Sequence, residues 1–167
     1  KNSIIFRLGT LFGVSDKYSR IRMDLVVNTL SAKAFFEKKM SVFGGEQYRP
    51  LLHVKDVARA IEIAIRSNKK GIFNLSYKNM KIIDIAKEIQ KYFKNTKIIK
   101  TKIKFQDARN YKVNNNKATK ELSFKAIYNL KYGILELKKL LLEKRIKNFN
   151  DPRHTNQKYL EIFKEKI

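Results

Sequence analysis

The chain has 167 residues, 43% of them hydrophobic, which suits one globular domain and argues against a disordered protein. It contains no cysteine, which excludes disulfides and thiolate metal sites, and its two histidines, His53 and His154, are too far apart to indicate a metal site. No apolar run approaches the roughly 20 residues of a membrane-spanning helix, no signal peptide is visible, and the chain is expected in the cytoplasm, without a membrane partner.

The formal net charge is +23, from 38 Lys and Arg against 15 Asp and Glu. Such an excess is typical of proteins that bind nucleic acid or an anionic membrane. Here it is mostly lysine, it is spread over nearly the whole chain, and no helix-turn-helix, zinc-finger or RNA-recognition pattern accompanies it. We therefore expect nonspecific polyanion binding at low salt and no specific nucleic-acid partner. A basic module that binds nucleic acid or a partner protein is the alternative hypothesis.

The first predicted element is a buried strand at Ile4–Phe6, because a continuous apolar run is typical of a parallel strand covered on both faces. It breaks into a glycine loop over residues 7–13, which reads Arg-Leu-Gly-Thr-Leu-Phe-Gly. Ligands of open α/β sheets bind at the carboxyl ends of strands, so this loop is a candidate binding element. A plain strand-to-loop turn is the alternative.

A long helix is predicted over Arg20–Lys39, because apolar residues recur there at helical spacing. Asn28 falls within it, at a position where an asparagine is usually only solvated. The apolar stripe consists of Met23, Val26, Val27, Leu30 and Ala34.

The most informative stretch is Phe43–Ile65, in which a Gly-Gly turn leads to Arg49 and then to an apolar run at Leu51–Val54. Asp56 is the predicted N-cap of the helix that follows, since its carboxylate can accept bonds from first-turn amides. A guanidinium at a chain reversal beside a helix start is a plausible anion site, and an ordinary α/β connection is the alternative. The predicted buried stripe of this helix is Val57, Ala60, Ile61, Ala64 and Ile65.

The remaining elements are predicted from the same patterns of apolar spacing and capping residues. Gly71–Ser76 reads as another buried strand, Asp84 as the N-cap of the next helix, and Lys97–Lys102 as a short edge strand. A helix with an apolar stripe is predicted at Ile134–Ile146, and a tail with one short helix at 148–167.

Three segments of the sequence together resemble the extended short-chain dehydrogenase/reductase family of NAD-dependent nucleotide-sugar epimerases and dehydratases. Residues 7–13 are similar to its motif Arg-x-x-(Asn/Ser/Thr)-x-(Tyr/Phe)-Gly. Residues 42–58 are similar to its glycine turn followed by Arg-(Asp/Pro)-x-x-His-Val-x-Asp. Asp107-Ala108-Arg109 is similar to its Asp-x-Arg, and segment 114–124 follows as in the family, with Ser123 where a glycine is usual.

The resemblance implies a site for a nucleoside-diphosphate sugar. The matched arginines, Arg49 and Arg109, would bind the diphosphate, and Asn28 would bond a phosphate through its amide. Val42 and Phe43 would flank the nucleotide base. On this interpretation two charge-assisted contacts could supply most of the affinity for the ligand.

The resemblance also implies contacts with the sugar and with NAD. Thr10 would hydrogen-bond the sugar, and Leu8 and Gly9 would lie near the nicotinamide. The Gly-x-x-Gly-x-x-Gly loop of the family is absent, and the Tyr-x-x-x-Lys spelling at residues 77–81 follows the last-strand motif, where the family has no catalytic tyrosine. No catalytic residue and no metal ligand is therefore predicted in this chain, and most of the NAD site would lie elsewhere.

The implied fold is α/β: the last strands of a Rossmann-type parallel sheet plus the small α/β substrate-binding lobe, with the N-terminal half absent. Residues 1–13 and 55–93 would form the end of the sheet with its helices, 14–54 and 94–147 would form the lobe, and 148–167 the C-terminal tail helix. The chain would be the substrate-binding part of an epimerase or dehydratase, inactive alone, from a full-length protein expected to be a homodimer. A truncated gene product without independent function is a third hypothesis.

Overall fold

The computed structural model describes residues 3–16, 18–101 and 109–164. Over that part, strands and helices alternate for most of the chain, as the sequence predicts. The strands are β1 (Ile4–Leu8), β2 (Thr10–Phe12), β3 (Lys39–Phe43), β4 (Tyr48–His53), β5 (Gly71–Leu75), β6 (Lys78–Lys81) and β7 (Lys97–Thr101). The helices are α1 (Val26–Phe36), α2 (Val54–Ile65), α3 (Ile82–Gln90), α4 (Asn116–Leu122), α5 (Leu130–Leu142) and α6 (Asn156–Lys164), and a 3₁₀ turn lies at Pro152–His154.

Most strand pairs are parallel. β1 pairs with β5 over their whole length, with Leu8 opposite Leu75. β2 pairs in parallel with β4, where Thr10 lies opposite Leu51, and β4 pairs antiparallel with β6. β3 pairs in parallel with β7. The strands predicted at Ile4–Phe6, Gly71–Ser76 and Lys97–Lys102 are confirmed as β1, β5 and β7, with Lys102 lying outside the described residues.

Two hydrophobic cores hold these elements together. The first lies among α1, α3, α5 and β3, and the second lies between the β1–β5 pair and the helices α2 and α4. α3 packs in the first core. The first core includes Met23, Val27, Leu30, Met40, Val42, Ile85, Ile89, Ile134, Leu137 and Leu141. The second consists of Leu52, Ala60, Phe73, Leu75, Ala118, Leu122 and Phe124.

One face of the β1–β5 pair is open within the described residues. Ile5 and Ile72 lie opposite each other on that face and are 51% and 41% exposed. Phe73, whose side chain points to the other face, is completely buried. The sequence predicts strands covered on both faces, and the described part of the chain covers only one.

α1 begins at Val26, six residues after the predicted start at Arg20. The preceding segment is non-helical and is held by contacts from elsewhere in the chain: the Met23 N–H donates to the carbonyl of His154 at 2.8 Å, and the Asn28 amide donates to the carbonyl of Arg22 at 2.9 Å. Because these bonds use backbone groups that a helix would need, the apolar spacing alone predicts the start too early.

The predicted N-cap of α2 is wrong. The helix begins at Val54, and the cap is His53, whose ring Nδ1 accepts the Lys55 N–H at 3.2 Å. Asp56 lies in the first turn, completely buried, and its carboxylate accepts the N–H groups of Ile127 and Tyr128, each at 3.1 Å. Asp56 therefore fixes the segment between α4 and α5 rather than the start of its own helix.

Two further local predictions are also wrong. Ile61 and Ile65, predicted to face the core, are 48% and 80% exposed, because the described residues cover only the Asp56 and Ala60 side of α2. Asp84 lies in the first turn of α3, where the N-cap position is occupied by Lys81. A carboxylate in the first turn still suits the positive end of the helix dipole.

Candidate functional site

A cavity of about 260 Å³ lies among α1, β3 and the first residues of β2 and β4. Five of the residues that the sequence assigns to the substrate line it: Thr10, Val42, Phe43, Arg49 and Arg109. They come from four separate parts of the chain, and the register of the parallel strands brings them together. Thr10 opens β2 beside Leu51 of β4, and β3 ends at Phe43.

The two arginines reach this cavity from segments 60 residues apart. Arg49 is only 4% exposed, and its Nη1 donates to the carbonyl of Tyr48 at 2.9 Å and to the carbonyl of Arg109. The Tyr48 N–H donates to Asn110 Oδ1 at 2.9 Å, and the ring centroid of Tyr111 lies 5.7 Å from the Arg49 guanidinium carbon. These contacts fix residues 109–111 against β4, while the Arg109 side chain is exposed.

The turn after β3 forms another edge of the site. Gln47 lines the cavity, and its side-chain amide donates to the carbonyl of Phe43 at 2.8 Å and accepts the Gly45 N–H at 2.8 Å. Val42 is 1% exposed and belongs to the first core, whereas Phe43 is half-buried. The hydrogen bonds of Gln47 thus fix the conformation of the turn, and with it the position of the Phe43 backbone.

α1 supplies a wall of the cavity that the motif comparison did not single out. Val26, Thr29, Leu30 and Lys33 line it, at the i, i+3, i+4, i+7 spacing of one helical face. Asp24 and Leu25, just before the helix, line it as well. The periodicity of residues 26–33 was the signal in the sequence that could have indicated this wall.

Asp24 carries a negative charge at this wall. Its carboxylate lies 2.9 Å from the Arg22 Nε and accepts the Asn156 N–H at 3.0 Å. Burial alone would raise its pKa, but the hydrogen bonds from Arg22 and from the Asn156 backbone hold the pKa of Asp24 below its ordinary value. The same carboxylate therefore joins the cavity wall to the first turn of the tail helix α6.

Asn28 does not line the cavity. It is 1% exposed; its Oδ1 accepts the Gly13 N–H at 3.0 Å, and its Nδ2 donates to the carbonyls of Gly13 and Arg22 at 3.2 and 2.9 Å. One residue before Thr29, it points about 100° around the helix from the cavity wall. In this structure Asn28 holds the loop after β2 against α1.

Leu8 and Gly9 lie at the junction of β1 and β2, outside the cavity. Leu8 is 42% exposed at the end of β1. The Gly9 N–H donates to the carbonyl of Leu75 at 2.9 Å, and a Cβ there would lie 2.8 Å from the carbonyl oxygen of Pro50. Only glycine allows this close approach of three backbone segments.

A polar cluster behind the loop after β2 centres on His53, which is completely buried. Its Nδ1 accepts a backbone N–H, so its proton lies on Nε2, which faces Glu136 Oε2 at 3.2 Å. Glu136 also accepts the Val14 N–H at 2.7 Å and pairs with Lys55. A Cβ on Gly13 would lie 2.0 Å from His53 Nε2, so the loop passes directly over the ring.

Burial alone would raise the pKa of Glu136, but the hydrogen bonds from His53, Lys55 and Val14 lower it below its ordinary value. The cluster ties β4 and α2 to α5. It has a structural explanation and does not line the cavity.

Among residues 3–16, 18–101 and 109–164, no group of three or more acidic or histidine side chains could hold a metal ion. No helix in the same part of the chain is long and apolar enough to cross a membrane.

Residues 2–76 match the sequence model of the family described as NAD dependent epimerase/dehydratase. That segment runs from β1 to the residue after β5 and contains two of the three motifs noted in the sequence.

Solved structures with a similar fold include the ADP-L-glycero-D-manno-heptose-6-epimerase of Helicobacter pylori, with 20% identity, a TM-score of 0.70, and coverage of 84% of this chain and 45% of that one. The UDP-glucose 4-epimerase of Thermotoga maritima, solved with UDP-glucose, has 21% identity, a TM-score of 0.67, and coverage of 86% and 47%. The dTDP-glucose 4,6-dehydratase of Bacillus anthracis, solved with NAD, has 18% identity, a TM-score of 0.67, and coverage of 84% and 44%.

These likenesses confirm the predicted fold class, an α/β architecture that matches part of Rossmann-type epimerases and dehydratases. The chain spans a little under half the length of each of these proteins.

Proposed function

We propose, on the premise that residues 2–76 carry part of an NAD-dependent epimerase/dehydratase domain, that this chain supplies the substrate-binding half of a nucleotide-sugar epimerase or dehydratase. Arg49 and Arg109 hold the diphosphate, Val42 and Phe43 flank the base, and Thr10 contacts the sugar. The observation that carries the proposal is the single cavity that all five of these residues line.

The geometry supports a phosphate ligand in particular. Arg49 is buried, and its guanidinium is held by two backbone carbonyls, so it is oriented before any ligand arrives. Arg109 is exposed and lines the same cavity. A preorganised guanidinium loses little side-chain entropy on binding, and its planar fork suits a phosphate.

NAD would be held largely outside this chain. The six glycines of the sequence include no Gly-x-x-Gly-x-x-Gly loop, so the usual cradle for a dinucleotide pyrophosphate is absent. Leu8 and Gly9, at the carboxyl end of β1, are the residues of this chain proposed to lie near the nicotinamide. When bound, NAD would supply the hydride acceptor, and alone this chain is proposed to be inactive.

Other parts of the proposal concern the whole protein. The division into sheet residues 1–13 and 55–93 and lobe residues 14–54 and 94–147 stays a prediction, as do the homodimer and the cytoplasmic location. The open face at Ile5 and Ile72 supports further helices covering this sheet in the whole protein, because both faces of a parallel sheet are normally covered by helices. The family match and the solved structures do not favour the alternative of a basic nucleic-acid-binding module.

The proposal predicts that nucleoside diphosphates bind this chain at physiological salt and that Arg109→Ala weakens binding about tenfold or more, because a charge-assisted bond to phosphate is lost. Isothermal titration calorimetry measures the dissociation constants. Arg109 is the informative position because its side chain is exposed, whereas Arg49→Ala would also remove a hydrogen bond that holds residues 109–111 against β4.

The matched control is Arg66→Ala, which removes the same charge from a 77% exposed side chain that pairs with Glu62 outside the cavity. In a chain of +23 net charge, a loss that both variants share would reflect bulk electrostatics. Equal affinities for the two variants, or no nucleotide binding by the unmodified chain, would contradict the proposal.

A further inference from the structure

The cavity contains a third basic side chain, Lys33, which no motif identifies. Lys33 is half-buried on the cavity face of α1, in line with Val26, Thr29 and Leu30. Within the described part of the chain its ammonium group makes no hydrogen bond and no ion pair. A half-buried lysine that lines a cavity and has no partner among the described residues is available for a ligand.

Lys33 lies level with Ser41 on the opposite wall. α1 ends at Phe36 and β3 begins at Lys39, so the chain reverses within two residues. Lys33 is three residues before the end of the helix, about 4.5 Å along its axis. Ser41 is two residues into the strand, about 6.6 Å along it. Both residues line the cavity at this end.

The two arginines lie at the other end of the cavity. Arg49 lies two residues before Leu51, which pairs with Thr10, so the Arg49 and Thr10 contacts cluster at the start of β2. β3 runs away from its connection to α1 and ends at Phe43, and the turn at residues 44–47 leads from there to β4. Arg49, at the start of β4, is therefore near the end of β3 that is farther from that connection. Lys33 is seven residues beyond Val26, about 10 Å farther along the helix. It is therefore beside Ser41 and the following β3 residues, not beside the diphosphate.

We propose that Lys33 reads the edge of the nucleotide base, a role that rests on the proposed function. An ammonium group has three donors and no acceptor. It can bond the carbonyl oxygen O4 of uracil or thymine, or O6 of guanine. At the corresponding positions cytosine and adenine carry amino groups, which are donors and cannot accept a hydrogen bond from the ammonium. The site accordingly selects sugar nucleotides with a keto base.

Other polar groups nearby do not offset this preference. The amide oxygen and the amide nitrogen of Gln47 both already make hydrogen bonds within the turn after β3. The Ser41 hydroxyl can donate or accept and so accommodates either edge. Partial burial of Lys33 strengthens its hydrogen bonds, because less water competes for them.

The test compares two pairs of ligands that differ at this edge, UDP with CDP and GDP with ADP, by calorimetry on the 167-residue chain. We expect each keto ligand to bind about tenfold more tightly than its amino counterpart, as for one charge-assisted hydrogen bond. Lys33→Met, which keeps the length of the side chain, should bring both ratios close to one.

Two controls separate this role from other causes. Lys120→Met removes the same charge from an exposed position on α4 and should leave the ratios unchanged. Arg109→Ala should weaken all four ligands while preserving the ratios. A Lys33→Met variant that weakens all four equally would make Lys33 a phosphate contact and overturn the inference, as would ratios near one in the unmodified chain. If the unmodified chain binds none of the four, the proposed function itself fails.

Discussion

At the scale of single residues, the carboxylate of Glu136 has three different partners. It accepts hydrogen bonds from the imidazole of His53 and the backbone N–H of Val14, and it pairs with the ammonium of Lys55. These donors outweigh burial and lower its pKa below the ordinary value of 4.5. The folded state therefore favours the ionised form more strongly than the unfolded chain does.

This shift gives stability a defined dependence on pH. The contribution of Glu136 is fully present above about pH 4.5 and is lost as the pH falls through the lower pKa of the folded state, because the unfolded chain then binds the proton first. Glu136→Gln should lower the Tm near neutral pH and flatten its decline between about pH 6 and pH 3. Thermal melts followed by circular dichroism at a series of pH values measure this.

Glu143→Gln is the matched control, since Glu143 lies just after the same helix, is 49% exposed and pairs only loosely with Lys139 at 3.8 Å. Parallel Tm curves for the unmodified chain and Glu136→Gln would contradict the assignment.

The roles of some residues can be predicted from the sequence, and those of others cannot. Arg49 and Arg109 were identified by motif, and the structure places both on one cavity. Asp56 was interpreted from its neighbours as a helix cap, but its partners are the amides of Ile127 and Tyr128, more than 70 residues away. Lys33 was overlooked because it belongs to no motif, and only the packing of α1 against the cavity gives it a role.

At the scale of elements, α4 ends in an unusual way. Ser123 adopts a left-handed conformation with φ +53°, where the related family usually has glycine. The position where the sequence departs from the motif thus adopts a left-handed geometry at a residue with a Cβ. That conformation costs a non-glycine residue about 1–2 kcal/mol.

Ser123→Gly should therefore stabilise the chain by about 1 kcal/mol, after the larger conformational entropy of glycine in the unfolded chain is subtracted. For a protein of this size that corresponds to a rise in Tm of about 2–4 °C. Ser123→Ala keeps the Cβ and should leave the Tm nearly unchanged. Equal melting temperatures for all three proteins would show that the backbone here is not strained.

The buried faces of two helices show where the local apolar pattern is no longer sufficient to predict burial. The stripe predicted for α5 is confirmed by the burial of Ile134, Leu137, Leu140 and Leu141, because that helix lies inside one core. On α2 the same reasoning is wrong for Ile61 and Ile65, which lie on a side that the described residues leave uncovered. Apolar periodicity identifies the face that can be buried, but a partner must be present to bury it.

At the scale of the whole molecule, the tail supports the cavity without lining it. Arg20 donates to the carbonyl of Arg153 at 3.0 Å, and the carbonyl of His154 accepts the Met23 N–H. The Asn156 N–H binds Asp24, which is part of the cavity wall. Contacts across more than 130 residues therefore position the segment leading into α1.

A chain that ends at Asn150 should bind nucleoside diphosphates several-fold more weakly, although it retains every residue that lines the cavity. Loss of the tail contacts releases the segment before α1 and adds an ordering cost to binding. Calorimetry measures the affinity, and a melting curve verifies that the shortened chain folds. Lys158→Ala, which leaves the tail in place, is the control, and unchanged affinity of the shortened chain would contradict the role of the tail.

The pairing of β1 with β5 sets the polarity of anything that joins the other edge of β1, which has no partner among the described residues. A strand that continues this sheet in the same sense must run in the direction of β1. Two copies of the chain related by a twofold axis perpendicular to the sheet would instead bring their β1 strands together in opposite directions. Self-association through this edge therefore produces a sheet of mixed direction, distinguishable from a completed parallel sheet by the hydrogen-bond pattern of the backbone amides.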